Sequence, residues 1–328
     1  MEAGRVPVGQ PFSLYMRRSV FNQIPRAGGA GWLAVGLLLY AWLAGPLPAQ
    51  SIKMYNIQLD GCRLRFSPDL AGRAREMKAA INLGLRRLAE TLESPGLPEG
   101  CVFWLVTDEE EMHAVLTEAI GMDPVRQRDR LEQTIYMGFY NDARHVVLRS
   151  PATTPLDWHL RLLFSRYAGM LLDSQTPGAA RRRVGWLYAG LTGYLAWQVT
   201  SEFERPADRV ATSDGDADRR VFERRLEQYY RQYFDPDRAP SLEALSVADG
   251  WRKAVRLSPA QVQAQSVLTY LYLAHKTDPL VGVRLLRVYE QDRIFGTAFR
   301  RATGQDLVDF EAEVRTRFYP LFKRKPES

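Results

Sequence analysis

The chain has 328 residues, enough to bury one large hydrophobic core or two modest ones. Hydrophobic residues make up 46% and charged residues 25%, values typical of a folded protein, so wholesale disorder is excluded. The formal net charge of +6 is modest. Because no basic patch interleaves with aromatic residues, the sequence gives no indication of nucleic-acid binding.

Residues 1–50 predict a secretory signal peptide. Three arginines precede an apolar run at residues 32–45: Arg17, Arg18 and Arg26. A basic stretch, an apolar stretch of about 7–15 residues and a small residue before the cut define such a signal, and cleavage is predicted after Ala49. The alternative is a membrane anchor retained at 27–49, although a spanning helix needs about 20 apolar residues. The mature chain is therefore expected outside the cytoplasm, either periplasmic or secreted.

Cys62 and Cys101 are the two cysteines of the chain, and each begins a strand-like run. Neighbouring strands that start at the same edge of a sheet would bring the two side chains together. In an oxidising compartment two cysteines usually pair, so a disulfide is predicted, with two buried thiols as the alternative. The closed loop of about 40 residues would contribute on the order of 3–4 kcal/mol.

Residues 51–155 predict a small sheet-bearing lobe. Alternating or continuous apolar runs indicate strands, and apolar residues at three- and four-residue steps indicate helices. The next helix is predicted to begin at a capping box formed by Thr107 and Glu110. The predicted elements are a strand at 54–66, a helix at 67–92, a strand at 101–106, a turn region at 121–133, and a hairpin of strands at 135–140 and 145–148.

Residues 156–328 predict a helical lobe, interrupted by a polar loop at 207–218. Strands first and helices afterwards predict an α+β fold with a small mixed sheet in the N-terminal lobe. Helices are predicted at 156–172, 184–199, 219–234, 241–253, 259–275, 279–290 and 306–318.

Two runs in the helical lobe carry a family resemblance. The first reads GWLYAGLTGYLA at 185–196, and the second reads AFRRATGQDLVDFE at 298–311. Together with the apolar frame at 162–171, they resemble the gluzincin-type zinc metallopeptidases of the peptidase MA-like family, over roughly residues 60–320. In that family a hairpin leads to an active-site helix bearing HExxH, and the following helix supplies the third zinc ligand. The resemblance implies a zincin-like arrangement.

The resemblance also places the family's active-site positions on residues unable to fill those roles. Ser165 and Gly169 stand where the two zinc-binding histidines belong, and Arg166 where the general-base glutamate belongs. Ala189 replaces the third ligand, a glutamate, and Gly193 replaces the acidic residue after it. A catalytic zinc needs about three protein ligands and a bound water. Zinc and catalysis are therefore predicted to be lost, with the Arg166 guanidinium occupying the place of the ion.

The former cleft is expected to be lined by Arg166 and three tyrosines: Tyr167, Tyr188 and Tyr194. A guanidinium and ring faces could bind an anionic or peptide ligand, although packing alone would explain the tyrosines equally well. His159, on the active-site helix, is expected to be an ordinary residue at the start of a helix rather than a lone metal ligand. Ser165 lacks the Gly-x-Ser-x-Gly context of a nucleophile.

The sequence thus predicts an exported, catalytically inactive, peptidase-like protein without a cofactor. It would bind an unknown protein or peptide partner, or act as a scaffold, in the cell envelope. One alternative is an active hydrolase or peptidase that uses other residues of the same cleft. Another is an assembly subunit anchored in the membrane by its N-terminal segment.

Overall fold

The computed structural model describes residues 53–59, 61–96, 100–131, 136–140, 144–177, 184–203 and 215–323. By its internal contacts the chain divides after Ser51, and the described residues all belong to the unit Ile52–Ser328. The predicted signal peptide, its cleavage site and the alternative anchor at 27–49 lie outside the described residues. Within the described ranges, no helix is both long and apolar enough to cross a membrane.

A five-stranded mixed sheet occupies the N-terminal part of this unit, in the order β1-β2-β3-β5-β4. The neighbours β2, β3 and β5 run parallel, whereas β1 and β4 are antiparallel strands at the two edges. The strand bounds are β1 Tyr55–Gln58, β2 Cys62–Phe66, β3 Cys101–Val106, β4 Tyr136–Tyr140 and β5 His145–Arg149.

Twelve α-helices are found in the described part of the chain, most of them after the sheet. Their bounds are α1 Ala74–Thr91, α2 Glu109–Ala114, α3 Pro124–Leu131, α4 Leu156–Gln175, α5 Gly185–Phe203, α6 Gly215–Arg231, α7 Leu242–Ser246, α8 Ala248–Leu257, α9 Pro259–Lys276, α10 Val281–Asp292, α11 Phe295–Thr303 and α12 Leu307–Glu313. Short 3₁₀ segments cover Pro68–Arg73, Pro236–Arg238 and Tyr319–Phe322, and π-helical turns follow α2 and α12 at Val115–Ala119 and Val314–Phe318. The predicted order of strands followed by helices is confirmed.

Several predicted boundaries are corrected. The single strand predicted at 54–66 is a hairpin, β1–β2, whose connection contains Gly61 at φ +81°, a backbone conformation that glycine adopts without steric cost. The helix predicted at 241–253 is two helices, because Val247 is extended (φ −107°, ψ 143°) at the junction. Helix α3 lies in the region 121–133, which is predicted as a turn, and α6 begins inside the loop predicted at 207–218. Helix α11 corresponds to no predicted element.

The cap before α2 differs from the predicted capping box by one residue. The Asp108 carboxylate accepts a hydrogen bond from the Glu111 N–H at 2.8 Å, and the Glu111 carboxylate accepts one from the Thr107 N–H at 2.8 Å. Asp108, rather than Thr107, is therefore the N-cap, and Glu111 takes the role predicted for Glu110.

The sheet has a buried cluster on each face. Phe103 and Leu105 of β3 belong to the main core, which continues into the helices, while Trp104 and Val106 belong to a smaller cluster with Met112 of α2. This alternation is the period-two pattern of a strand covered on both faces.

Helix α5 is at the centre of the helical part. It contacts α4 on one side and α9 on another, and nearly all of its described side chains are buried. The α5–α9 approach is close at Gly190, where an added Cβ would lie 2.5 Å from the Ser266 carbonyl oxygen and 2.7 Å from the Tyr270 Cβ. Glycine is therefore needed at this crossing, and the packing fixes how α5 presents its other face to α4.

Candidate functional site

Helix α4 is tied to the end of β5 through a buried hydrogen bond. The Ser150 hydroxyl, just beyond β5, bonds Nε2 of His159 in the first turns of α4. His159 is 4% exposed, and burial lowers the pKa of its imidazole below the ordinary value. His159 is thus buried and hydrogen-bonded, unlike the ordinary residue at the start of a helix that the sequence predicts. It joins the hairpin to the helix.

The His159 site predicts loss of stability in mild acid. Because the folded-state pKa is lowered, the unfolded chain takes up the proton first as pH falls through the ordinary histidine pKa of about 6.5. The stabilisation is therefore complete above that pH and is lost below it. Urea midpoints of the wild type should fall between about pH 7 and pH 5, and those of His159→Gln should fall less.

His113, whose side chain is exposed, provides the control. His113→Gln should keep the acid-dependent loss of the wild type. An unchanged pH dependence in His159→Gln would contradict the assignment.

Ser165 and Gly169, one turn apart on α4, face the same residue of α5. The Ser165 hydroxyl donates a hydrogen bond to Oγ1 of Thr192 at 3.2 Å, and a Cβ added at Gly169 would lie 3.8 Å from the Thr192 methyl group. Both positions are half-buried. Residues at i and i+4 share a helix face, so the pair has the relative placement that two histidines of an HExxH motif require.

The two predicted positions on α5 point in different directions. Gly193 is turned toward α9, because an added Cβ would meet the Val267 methyl group at 2.7 Å and Nε2 of Gln263 at 3.3 Å. Ala189 is half-buried, and its carbonyl oxygen accepts a hydrogen bond of 3.5 Å from Gln263. At about 100° per residue, Ala189 lies between the α4-facing direction of Thr192 and the α9-facing direction of Gly193.

Arg166, the residue predicted to occupy the metal position, is exposed. It follows Ser165 and is therefore turned about 100° around α4 from it. The partly buried guanidinium on the Ser165 side of α4 is that of Arg161, one turn earlier. It lies 3.7 Å from the centroid of the Trp197 ring and forms an ion pair with Asp157.

Arg161 is not among the site residues predicted from the sequence. The available signal was the pair Asp157 and Arg161, four residues apart on a predicted helix, which indicates contact between the two side chains. Burial against Trp197 of α5 and Tyr229 of α6 was not visible in this local pattern.

The three predicted tyrosines are buried in the core. Tyr167 faces the sheet, with its ring centroid 6.3 Å from that of Phe103, and burial raises its pKa to about 12. Tyr194 packs against Tyr270 of α9 with ring centroids 5.5 Å apart, and Tyr188 is also buried. Their burial favours the packing interpretation over direct contact with a ligand from solvent.

The side chains at the predicted zinc positions do not suit the ion. They offer one hydroxyl group, from Ser165, and neither an imidazole nor a carboxylate. Elsewhere in the described ranges, no group of three or more His, Cys, Asp or Glu residues is placed to hold a metal ion.

No protein-family model matches the chain, and no curated protein matches it significantly. The gluzincin resemblance consequently depends on the residue pattern of the sequence.

Proposed function

We propose that this protein is a catalytically inactive relative of the gluzincin metallopeptidases that acts by binding or scaffolding in the cell envelope. The α4–α5 pair carries the proposal, because Ser165 and Gly169 share one face of α4 opposite Thr192. This is the arrangement expected of an active-site helix and its neighbour, built here with residues that do not bind zinc.

The succession of elements after the sheet also supports a zincin-like arrangement. An antiparallel edge strand, β4, pairs with β5 in a hairpin, and the chain then enters α4. The resembled family has the same succession of hairpin, active-site helix and second helix.

The chemistry available between the helices also supports an inactive protein. The Ser165 hydroxyl donates to Thr192, and the Thr192 hydroxyl donates to the Tyr188 carbonyl oxygen at 2.8 Å. A hydroxyl chain that ends on a backbone carbonyl contains no base able to activate water or serine. The alternative hypothesis, an active hydrolase or peptidase that uses other residues of the same cleft, gains no support from these contacts.

The same contacts indicate which kind of partner suits the helix pair. The half-buried positions Ser165, Gly169 and Ala189 carry small, uncharged side chains. Ser165 and Gly169 face Thr192 of α5, and the part of these three positions that remains exposed is uncharged, which suits contact with a polypeptide better than binding of an ion. A protein or peptide partner is therefore proposed, without a cofactor. Its location outside the cytoplasm depends on the signal peptide predicted from the sequence.

Metal analysis and a peptidase assay test this function. The purified full-length protein should carry far less than one zinc per chain, and it should not cleave casein or a peptide library in a chelator-sensitive manner. An active zinc peptidase purified and assayed in parallel shows that the conditions preserve metal. Stoichiometric zinc together with chelator-sensitive cleavage would refute the proposal.

A further inference from the structure

Cys62 and Cys101 are directly opposite each other in the sheet. They are the first residues of the parallel neighbours β2 and β3, and they form a register pair. Adjacent strands are about 4.7–4.9 Å apart, within the Cα separation of about 4.4–6.8 Å that a disulfide spans. Both side chains belong to the main core, so they lie on the same face of the sheet.

We infer that this pair is an oxidisable site that forms an intramolecular disulfide, which links β2 to β3 covalently. The structure shows no disulfide between the two residues, and their register permits the bond once an oxidant acts. Oxidation removes one hydrogen from each thiol and forms one S–S bond. The two electrons and two protons pass to the disulfide of the oxidant, either a protein dithiol oxidase or glutathione disulfide, which becomes two thiols.

The surroundings favour oxidation during folding rather than afterwards. Each cysteine is 3% exposed, and Tyr167 of α4 covers this part of the sheet through its contact with Phe103. Burial raises the pKa of the Cys101 thiol to about 11, which keeps it protonated and a poor nucleophile in the folded protein. An oxidant should therefore act before α4 closes over the sheet, and the folded thiol form should resist it.

Oxidative refolding of the full chain tests the site. The protein is unfolded in urea with reductant and refolded in a glutathione redox buffer. It is then unfolded again and alkylated, and its intact mass is measured. The expected product is a monomer with no alkylatable cysteine, lighter by two hydrogen atoms than the reduced chain.

Stability provides a second readout. In the chain-entropy model a disulfide that closes a loop of about 40 residues lowers the unfolding equilibrium constant by a factor on the order of several hundred. Reductant should therefore lower the urea midpoint of the oxidised protein. The double variant Cys62→Ala, Cys101→Ala should have a midpoint that does not respond to reductant. The single variants should each retain one alkylatable thiol.

Two outcomes would overturn the inference. One is a correctly refolded monomer with two alkylatable thiols after oxidative refolding. The other is oxidation that yields only intermolecular dimers on a non-reducing gel. Because neither measurement involves zinc or peptide cleavage, failure here is distinguishable from failure of the proposed function.

Discussion

Replacing Ser165 and Gly169 with histidine and Ala189 with glutamate is expected to create a zinc site that holds about one ion per chain. The wild type has one hydroxyl among these three positions, whereas two imidazoles and a carboxylate are a ligand set that catalytic zinc sites use. The expected change is therefore from negligible to stoichiometric zinc after dialysis, measured by metal analysis and by titration with a zinc indicator.

The geometry of α4 and α5 is the reason to expect binding. Positions 165 and 169 lie on one face of α4. Ser165 donates a hydrogen bond to Thr192, and a Cβ added at Gly169 would lie 3.8 Å from the Thr192 methyl group. An added Cβ at Gly169 meets nothing closer than 3.8 Å, so a side chain can begin there without displacing α5. Ala189 is half-buried and one turn before Thr192, from which a longer side chain can extend toward α4.

A matched control separates ligand chemistry from size. The variant with glutamine at all three positions has side chains of similar length but no imidazole or carboxylate, and it should not retain zinc. Circular dichroism and urea midpoints establish that both triple variants are folded. A folded histidine and glutamate variant that binds no zinc would show that these positions do not converge, and the gluzincin-like arrangement would then be abandoned.

Substituting alanine for Gly190 is expected to destabilise the protein by about 1–3 kcal/mol, the usual cost of overpacking a core. The new Cβ would lie 2.5 Å from the Ser266 carbonyl oxygen and 2.7 Å from the Tyr270 Cβ. Neither atom is the end of a flexible side chain, so α5 and α9 must separate to admit the methyl group. Urea denaturation followed by circular dichroism measures the change in the free energy of unfolding.

Gly169→Ala is the matched control for Gly190→Ala. Both glycines are inside helices, and the substitution is the same, but Gly169 has room for a methyl group. Helix propensity alone favours alanine over glycine by about 1 kcal/mol, so Gly169→Ala should be neutral or stabilising. Equal effects of the two substitutions would contradict the α5–α9 packing.

Sequence periodicity located the longer helices well. Helix α9 was predicted at 259–275 and is observed at Pro259–Lys276, and α4 and α5 were found within a few residues of their ends. Their apolar residues recur over many turns, which makes local pattern informative. Short elements were less predictable: α7, α8 and α11 each have ten residues or fewer, and their boundaries depend on contacts with distant segments.

The side chains of the candidate site show the same contrast between what a local sequence pattern predicts and what distant contacts decide. The sequence by itself determined that HExxH is missing, that two cysteines begin two strands, and that strands precede helices. Tertiary structure decided that Arg161, and not Arg166, is partly buried beside the helix pair. It also decided that the three tyrosines pack in the core and that Cys62 is in register with Cys101. Residue identity is a local property. Burial and register depend on which surfaces of distant helices and strands pack together, and a local sequence pattern contains no information about that packing.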